Sequence, residues 1–336
     1  MSTERLKQSK PTGKRWLNKA WIVEQKSLIA LVFLIVVVSF LNPNFFTIDN
    51  ILNILRQTSV NAIIAVGMTL VILTAGIDLS VGSVLALCGA IAASMIAIDI
   101  PVLVAVPTAL FAGALLGALS GIIIAKGKVQ AFIATLVTMT LLRGVTMVYT
   151  DGRPISTGFT DTADTFSWFG TGYALGIPVP VWLMVIVFAA AWYLLNHTRF
   201  GRYIYALGGN ESATRLSGIN VDKVKIGVYS LCGLLAALAG LIVASRLSSA
   251  QPTAGMGYEL DAIAAVVLGG PRFILFPFSF TFPFPLPLLL LFFSLLFSFI
   301  FSFLFFSPSF VHIHYPPLHF PSHPSSSIFY SRRNLP

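Results

Sequence analysis

Ala75-Gly76-Ile77-Asp78-Leu79-Ser80-Val81-Gly82-Ser83 sets a single acidic residue between two apolar runs, 58–77 and 79–98, each long enough to approach a membrane crossing. A carboxylate at the centre of a lipid-facing helix costs about 3 kcal/mol even on permissive insertion scales. Asp78 must therefore lie at a helix end, in a water-filled cavity or against a partner. Working outward, further apolar runs fall at 27–41, 101–125, 129–149, 179–195, 225–245 and from 258 onward. A helix needs roughly 20 mostly apolar residues to cross a bilayer. Lipid cannot satisfy backbone polar groups, and the alternating pattern of a β-barrel is missing. The expectation is an all-α polytopic membrane protein with about eight spans.

Composition agrees. Charged residues make up 10% of the 336-residue chain and apolar residues 56%, against about 25% charged in a soluble domain. So little charge cannot hydrate a surface. The net charge of +9 could point to nucleic acid, but its distribution argues for a membrane instead. Six Lys/Arg lie in the first twenty residues and five more between Arg199 and Lys225, beside apolar runs, which is the positive-inside pattern. The N-terminus and the loops holding Lys126, Lys128 and 199–225 then fall inside. The segments at 42–57, 150–178 and 246–257 fall outside, with only Arg56, Arg153 and Arg246. No small-residue cleavage site follows the first run, so it reads as a retained span. Cys88 and Cys232 both sit in apolar runs and read as small core residues.

Glycine and alanine repeat at helical spacing in three spans: Gly113, Gly117 and Gly121; Gly82, Ala86 and Ala90; Gly233, Ala236, Ala237 and Gly240. In lipid such stripes let backbones approach closely, and they predict a tightly packed bundle.

The loop 196–225 carries Gly208-Gly209-Asn210-Glu211-Ser212-Ala213-Thr214-Arg215-Leu216-Ser217-Gly218. Gly208-Gly209 reads as a break, Asn210 as an N-cap and Gly218 as a stop, with a helix of about two turns between them. Glu211 stands at its positive end. So short a helix is unstable alone, since roughly 12–15 residues are marginal in water, and it must rest on its own bundle or on a partner. A third segment, Tyr258-Glu259-Leu260-Asp261-Ala262-Ile263-Ala264-Ala265-Val266-Val267-Leu268-Gly269-Gly270, opens the last run with two acids in its first turn.

Taken with 75–83, these segments resemble the membrane-spanning permease of ribose-type monosaccharide ABC importers, over residues of about 25–270. The resemblance implies a bundle of about ten helices, of which eight are present and the last is truncated. It implies two ATP-binding subunits inside, a periplasmic sugar-binding protein outside, a second permease copy and an inner-membrane location. It also implies that Asn210, Glu211, Ser212, Ala213, Thr214, Arg215, Leu216, Ser217 and Gly218 form the helix that couples to the ATPase.

Other residues keep two readings. Asp78 and Ser80 can cap the span at Leu79, at the inner interface, or serve a gate. Arg143, six residues from the outer end of its span, can snorkel outward, meet a carboxylate or line a path. Glu259 and Asp261 suit a helix start or a gate. The loop at 151–176 is either a hydrated connector or a docking surface. No phosphate-binding loop of the Gly-x-x-x-x-Gly-Lys-Ser/Thr type occurs, so ATP hydrolysis is expected in a separate subunit, and neither metal nor cofactor is expected on this chain. No substrate-binding residues are legible. An ion- or proton-coupled carrier is the rival; it predicts ionisable groups at mid-membrane and an internal repeat.

After Gly270 the composition changes. All 26 glycines precede that point; the last 66 residues lack Ala, Asp, Glu and Lys yet hold 17 of 28 Phe and 11 of 19 Pro. Phe, Leu, Ser and Pro share pyrimidine-rich codons, so 271–336 reads as a frameshift or read-through product, which would leave a non-functional truncated permease. The run 286–306 is long enough to span by hydropathy alone. The expected division is a basic cytoplasmic segment 1–26, a permease domain 27–270 and this tail.

Overall fold

The computed structural model describes residues 26–41 and 44–269; the expectations for 1–25 and for the tail from 270 lie outside them. Helices α1 (Lys26–Leu41), α2 (Ile48–Leu73), α3 (Val81–Ala97), α4 (Val102–Gly127) and α5 (Ala131–Tyr149) come first. A strand β1 (Ile155–Ser156), helix α6 (Asp161–Thr171) and the strands β2 (Tyr173–Ala174) and β3 (Ile177–Pro178) follow. Then come α7 (Val179–His197), α8 (Arg199–Gly209), α9 (Glu211–Leu216), α10 (Val221–Leu247), β4 (Ser249–Ala250) and α11 (Tyr258–Gly269). Among the described residues five helices, α2, α4, α5, α7 and α10, are long and apolar enough to cross a membrane, and α3 is a shorter apolar helix. The protein is an all-α polytopic membrane protein.

α10 is the hub, packing on α4, α3, α2 and α6. The small-residue stripes explain how it does so. A Cβ on Gly117 would stand 2.1 Å from the Tyr229 carbonyl oxygen, and one on Gly240 would stand 2.3 Å from that of Leu85. Backbone meets backbone there, a contact that any side chain would forbid. Without a hydrophobic drive between helices in lipid, this close packing is what holds the bundle.

Two spans are broken inside the bundle. α3 has 17 residues, about 25 Å at 1.5 Å per residue, less than the roughly 30 Å of a hydrocarbon core. Residues 74–80 ahead of it form a turn in which Ala75 is left-handed at φ 59°. The Thr135 hydroxyl, on the second turn of α5, donates to the Ile77 carbonyl at 3.2 Å. The second break, 251–257, leads into α11. It touches the first one where Gly255 meets Gly82, whose Cβ would lie 2.1 Å from the Gly255 carbonyl oxygen.

At one end of the bundle β1 pairs antiparallel with β4, matching Ile155 with Ala250. There α6 is capped by Thr160, whose hydroxyl accepts from the Ala163 amide at 3.2 Å. Its Phe166 is buried and Gly170 lies against the Arg246 backbone. This part of the 150–178 loop is thus packed structure rather than a plain connector.

Candidate functional site

At the other end, α9 forms as its sequence dictates. The Asn210 side chain accepts from the Ala213 amide at 2.9 Å, and Gly218 takes the left-handed stop at φ 82°. The helix has six residues, Glu211–Leu216, and Ser217 is its C-cap. It rests on its own chain through charge. Lys225 Nζ lies 2.8 Å from Glu211 Oε2, and Arg215 Nη2 lies 2.9 Å from Asp222 Oδ1. The hydrogen bond and charge of Asp222, helped by Glu211, raise the Arg215 pKa above its ordinary value. Thr214 is the buried member, its hydroxyl donating to the Asn210 carbonyl at 2.8 Å. Leu216 is 89% exposed, an apolar side chain turned outward from a helix that is otherwise anchored.

The element before α9 differs from expectation. Gly208-Gly209 ends a helix, α8, rather than interrupting a loop. The Thr198 hydroxyl caps it by accepting from the Gly201 amide at 3.1 Å, and Ile204 and Leu207 are buried. Thr198 followed by apolar residues at helical spacing was the available signal. The glycines obscured it, because Gly208 is needed for contact with the Leu73 carbonyl, 2.0 Å from where its Cβ would be.

A cavity of about 920 Å³ lies between α9 and the α4–α5 turn. Lys126, Lys128, Glu211, Arg215, Asp222 and Lys225 surround it, and Gly76 and Tyr229 also line it. Lys126, Lys128, Arg215 and Lys225, four of the basic residues assigned to one side by charge counting, thus gather around one cavity.

Asp78 is 1% exposed. Its Oδ1 accepts from the Ser80 amide at 2.9 Å and from the Ser80 hydroxyl at 2.6 Å. Asp78 therefore closes the turn onto Ser80, the residue ahead of α3, and neither its carboxylate nor the Ser80 hydroxyl caps an amide of that helix. Cys232, buried in α10, stands near Asp78. Cys232 stands eleven residues beyond Val221 in α10, roughly 16 Å along the helix. Asp78 thus sits within packed structure, in the turn at 74–80 ahead of α3.

Arg143 Nη1 donates to the carbonyls of Pro252 at 3.0 Å and Ala254 at 2.8 Å, holding the second break rather than snorkelling. Glu259 Oε1 accepts from the Gly257 amide at 3.3 Å, and Asp261 Oδ2 accepts from Asn61 at 3.5 Å. Both acids lie in the first turn of α11, and Glu259 reaches the Gly82 contact. Asp78, Ser80, Arg143 and Glu259 thereby share one seam between the two broken spans, with Asp261 of α11 beside it, against Asn61 of α2. The sequence did not single out Tyr229 or Asn61. Each is an isolated polar side chain in an apolar helix, and only the packing shows what it faces. Among the described residues no group of His, Cys, Asp and Glu could hold a metal ion.

Comparison with known proteins places these features in a family. The family described as the branched-chain amino acid transport system / permease component matches residues 50–309. The ribose import permease of Escherichia coli K12 is 73% identical over 259 residues, covering 77% of this chain and 81% of the relative. That of Bacillus subtilis is 57% identical over 242 residues, 72% of this chain and 74% of the relative. The L-arabinose transport system permease of E. coli is 39% identical over 245 residues, again 72% and 73%. No solved structure matches significantly. With its long apolar helices and these relatives, the chain belongs to this family of transport permeases, on the branch of the ribose-type importers.

Proposed function

We propose that the chain is the membrane-spanning subunit of an ATP-driven importer for a monosaccharide, ribose above others. It would form the pathway while a separate ATPase supplies the energy. The observation that carries the coupling is α9, six residues capped at both ends and tethered by Lys225 and Asp222, with Leu216 turned outward. A helix that short persists only when held, and its own chain holds one side alone. The free side suits a groove on an ATP-binding subunit. The N-terminus is then cytoplasmic, a periplasmic sugar-binding protein delivers substrate at the β1–β4 end, and two permease copies enclose the path. The identity to ribose permeases supports the choice of sugar. Asp78, Ser80, Arg143, Glu259 and Asp261 serve as the gate, because the two breaks meet where helix hydrogen bonding is already interrupted. The composition after Gly270 is read as a shifted frame, and sequencing the gene across the codons for 268–273 tests that.

The test of coupling is ribose uptake in an E. coli strain lacking its own ribose permease. Glu211→Arg, which sets like charges against Lys225 and Arg215, combined with Gly218→Pro should abolish uptake while the protein still inserts in the membrane. Uptake at wild-type rates would refute the coupling role. Uptake that ends when a proton gradient is collapsed but ATP is kept would favour an ion-coupled carrier.

A further inference from the structure

Lys126 and Lys128 flank the turn between α4 and α5, both exposed, and among the described residues neither pairs with an acid. Across the 920 Å³ cavity stand Arg215 and Lys225, whose charges are already met. Asp222 lies 2.9 Å from the first and Glu211 2.8 Å from the second. Four cations thus surround the space with two carboxylates, and the excess positive charge rests on the two lysines. The turn adds to it. Gln130 and Ala131 line the cavity, and the Gln130 side chain makes no cap hydrogen bond. The first amides of α5, at the positive end of its dipole, therefore open on the same space. The rim beside the lysines is apolar. Val129 lines the cavity and is 38% exposed, Ile122 and Ile123 are exposed before the turn, and Phe132 and Ile133 are exposed after it.

We propose that this cavity holds the headgroup of an anionic phospholipid, its phosphate between Lys126 and Lys128 and its acyl chains along Ile122, Ile123, Phe132 and Ile133. A phosphate diester brings one negative charge and accepts from ammonium groups and helix amides alike. Free inorganic phosphate shares that chemistry. The apolar side chains beside the lysines separate the two, because they give acyl chains a surface that a soluble anion cannot use. A metal cation would meet the excess positive charge, and a neutral sugar would leave both lysines unmet. Ligand pockets run about 300–1,000 Å³, and a space of 920 Å³ admits a phosphoglycerol headgroup. The site needs only that the chain lies in a bilayer. Its opposite wall is α9, so the lipid would rest against the helix that the importer reading couples to the ATPase.

The full chain, purified in detergent, is mixed with phosphatidylglycerol, phosphatidylcholine or inorganic phosphate. Native mass spectrometry then counts bound lipid, and thermal unfolding is followed on the same samples. Wild type should hold one phosphatidylglycerol under conditions that strip phosphatidylcholine, and should melt higher with it; inorganic phosphate at the same concentration should not raise the melting temperature. A lysine beside an anionic headgroup is worth about fivefold in affinity. Lys126→Gln with Lys128→Gln should therefore weaken phosphatidylglycerol binding about 25-fold, while lipid-free melting stays unchanged because neither side chain has an ion pair to lose. Lys126→Arg with Lys128→Arg should keep the lipid. So should Arg153→Gln, at an exposed position beyond the far end of α5. Equal retention of the two lipids by wild type, or retention of phosphatidylglycerol by the glutamine pair, would overturn the proposal. Equal stabilisation by inorganic phosphate would reduce the site to one for a free anion and overturn it too. So would a glutamine pair that keeps its lipid but no longer co-purifies with the ATP-binding subunit, since the lysines would then be a protein contact.

Discussion

Gly117→Ala tests how the bundle holds its central helix. The new methyl carbon would sit 2.1 Å from the Tyr229 carbonyl oxygen, 2.9 Å from its carbon and 3.1 Å from the Gly233 Cα. All three are backbone atoms, so no side-chain rotation relieves the clash, and α4 and α10 must part by about an ångström. Overpacking of this kind costs about 1–3 kcal/mol. Alanine returns up to about 1 kcal/mol through its better helix propensity, leaving a net loss of about 2 kcal/mol at the upper end of the overpacking range, where a clash with three backbone atoms belongs. Gly144→Ala is the control, because nothing lies within 4 Å of its Cβ and only the propensity gain remains. Thermal unfolding in detergent should place Gly117→Ala several degrees below wild type and Gly144→Ala at or above it. Equal melting of the two variants would refute close backbone packing as the source of the bundle's stability.

Three further outcomes follow from the same geometry. Gly218→Ala puts a Cβ on a residue at φ 82°, costing about 1–2 kcal/mol; ribose uptake per unit of inserted protein should fall severalfold. Asn210→Ala removes the bond to the Ala213 amide, worth about 1 kcal/mol, whereas Asn210→Asp keeps an acceptor there; uptake should fall for the first and hold for the second. Arg143→Met strips the donors from the Pro252 and Ala254 carbonyls, at about 1–3 kcal/mol for each group left unpaired in a buried setting. Its melting temperature should drop, and Arg143→Lys should restore part of the loss.

Much of this architecture was legible in the residues. Low charge and long apolar runs give spans, and the glycine stripes give close packing, because both are local patterns with one physical solution in lipid. The α9 cap was equally local: Asn210 and Gly218 bracket it, and both act as their side chains require. The breaks at 74–80 and 251–257 were harder. Hydropathy runs almost unbroken through Asp78, so it cannot tell a helix ending at the surface from one turning inside the bundle. That distinction depends on Gly82 meeting Gly255, residues far apart in the chain. Gly208 misled for a related reason, since it closes α8 and serves a contact with the Leu73 carbonyl rather than interrupting a loop. Arg143 was legible as a buried cation, but its carbonyl partners belong to a segment more than a hundred residues away.

The most direct measurement is chemical access to the outward face of α9. A single cysteine replacing Leu216 reports on it cleanly, since Cys88 and Cys232 are both buried. In cells that co-express the ATP-binding subunit, a membrane-impermeant maleimide added from outside should leave this cysteine unlabelled, and a short bifunctional crosslinker should join it to that subunit. Labelling from outside intact cells, with no crosslink, would place the helix on the wrong side of the membrane and contradict the account.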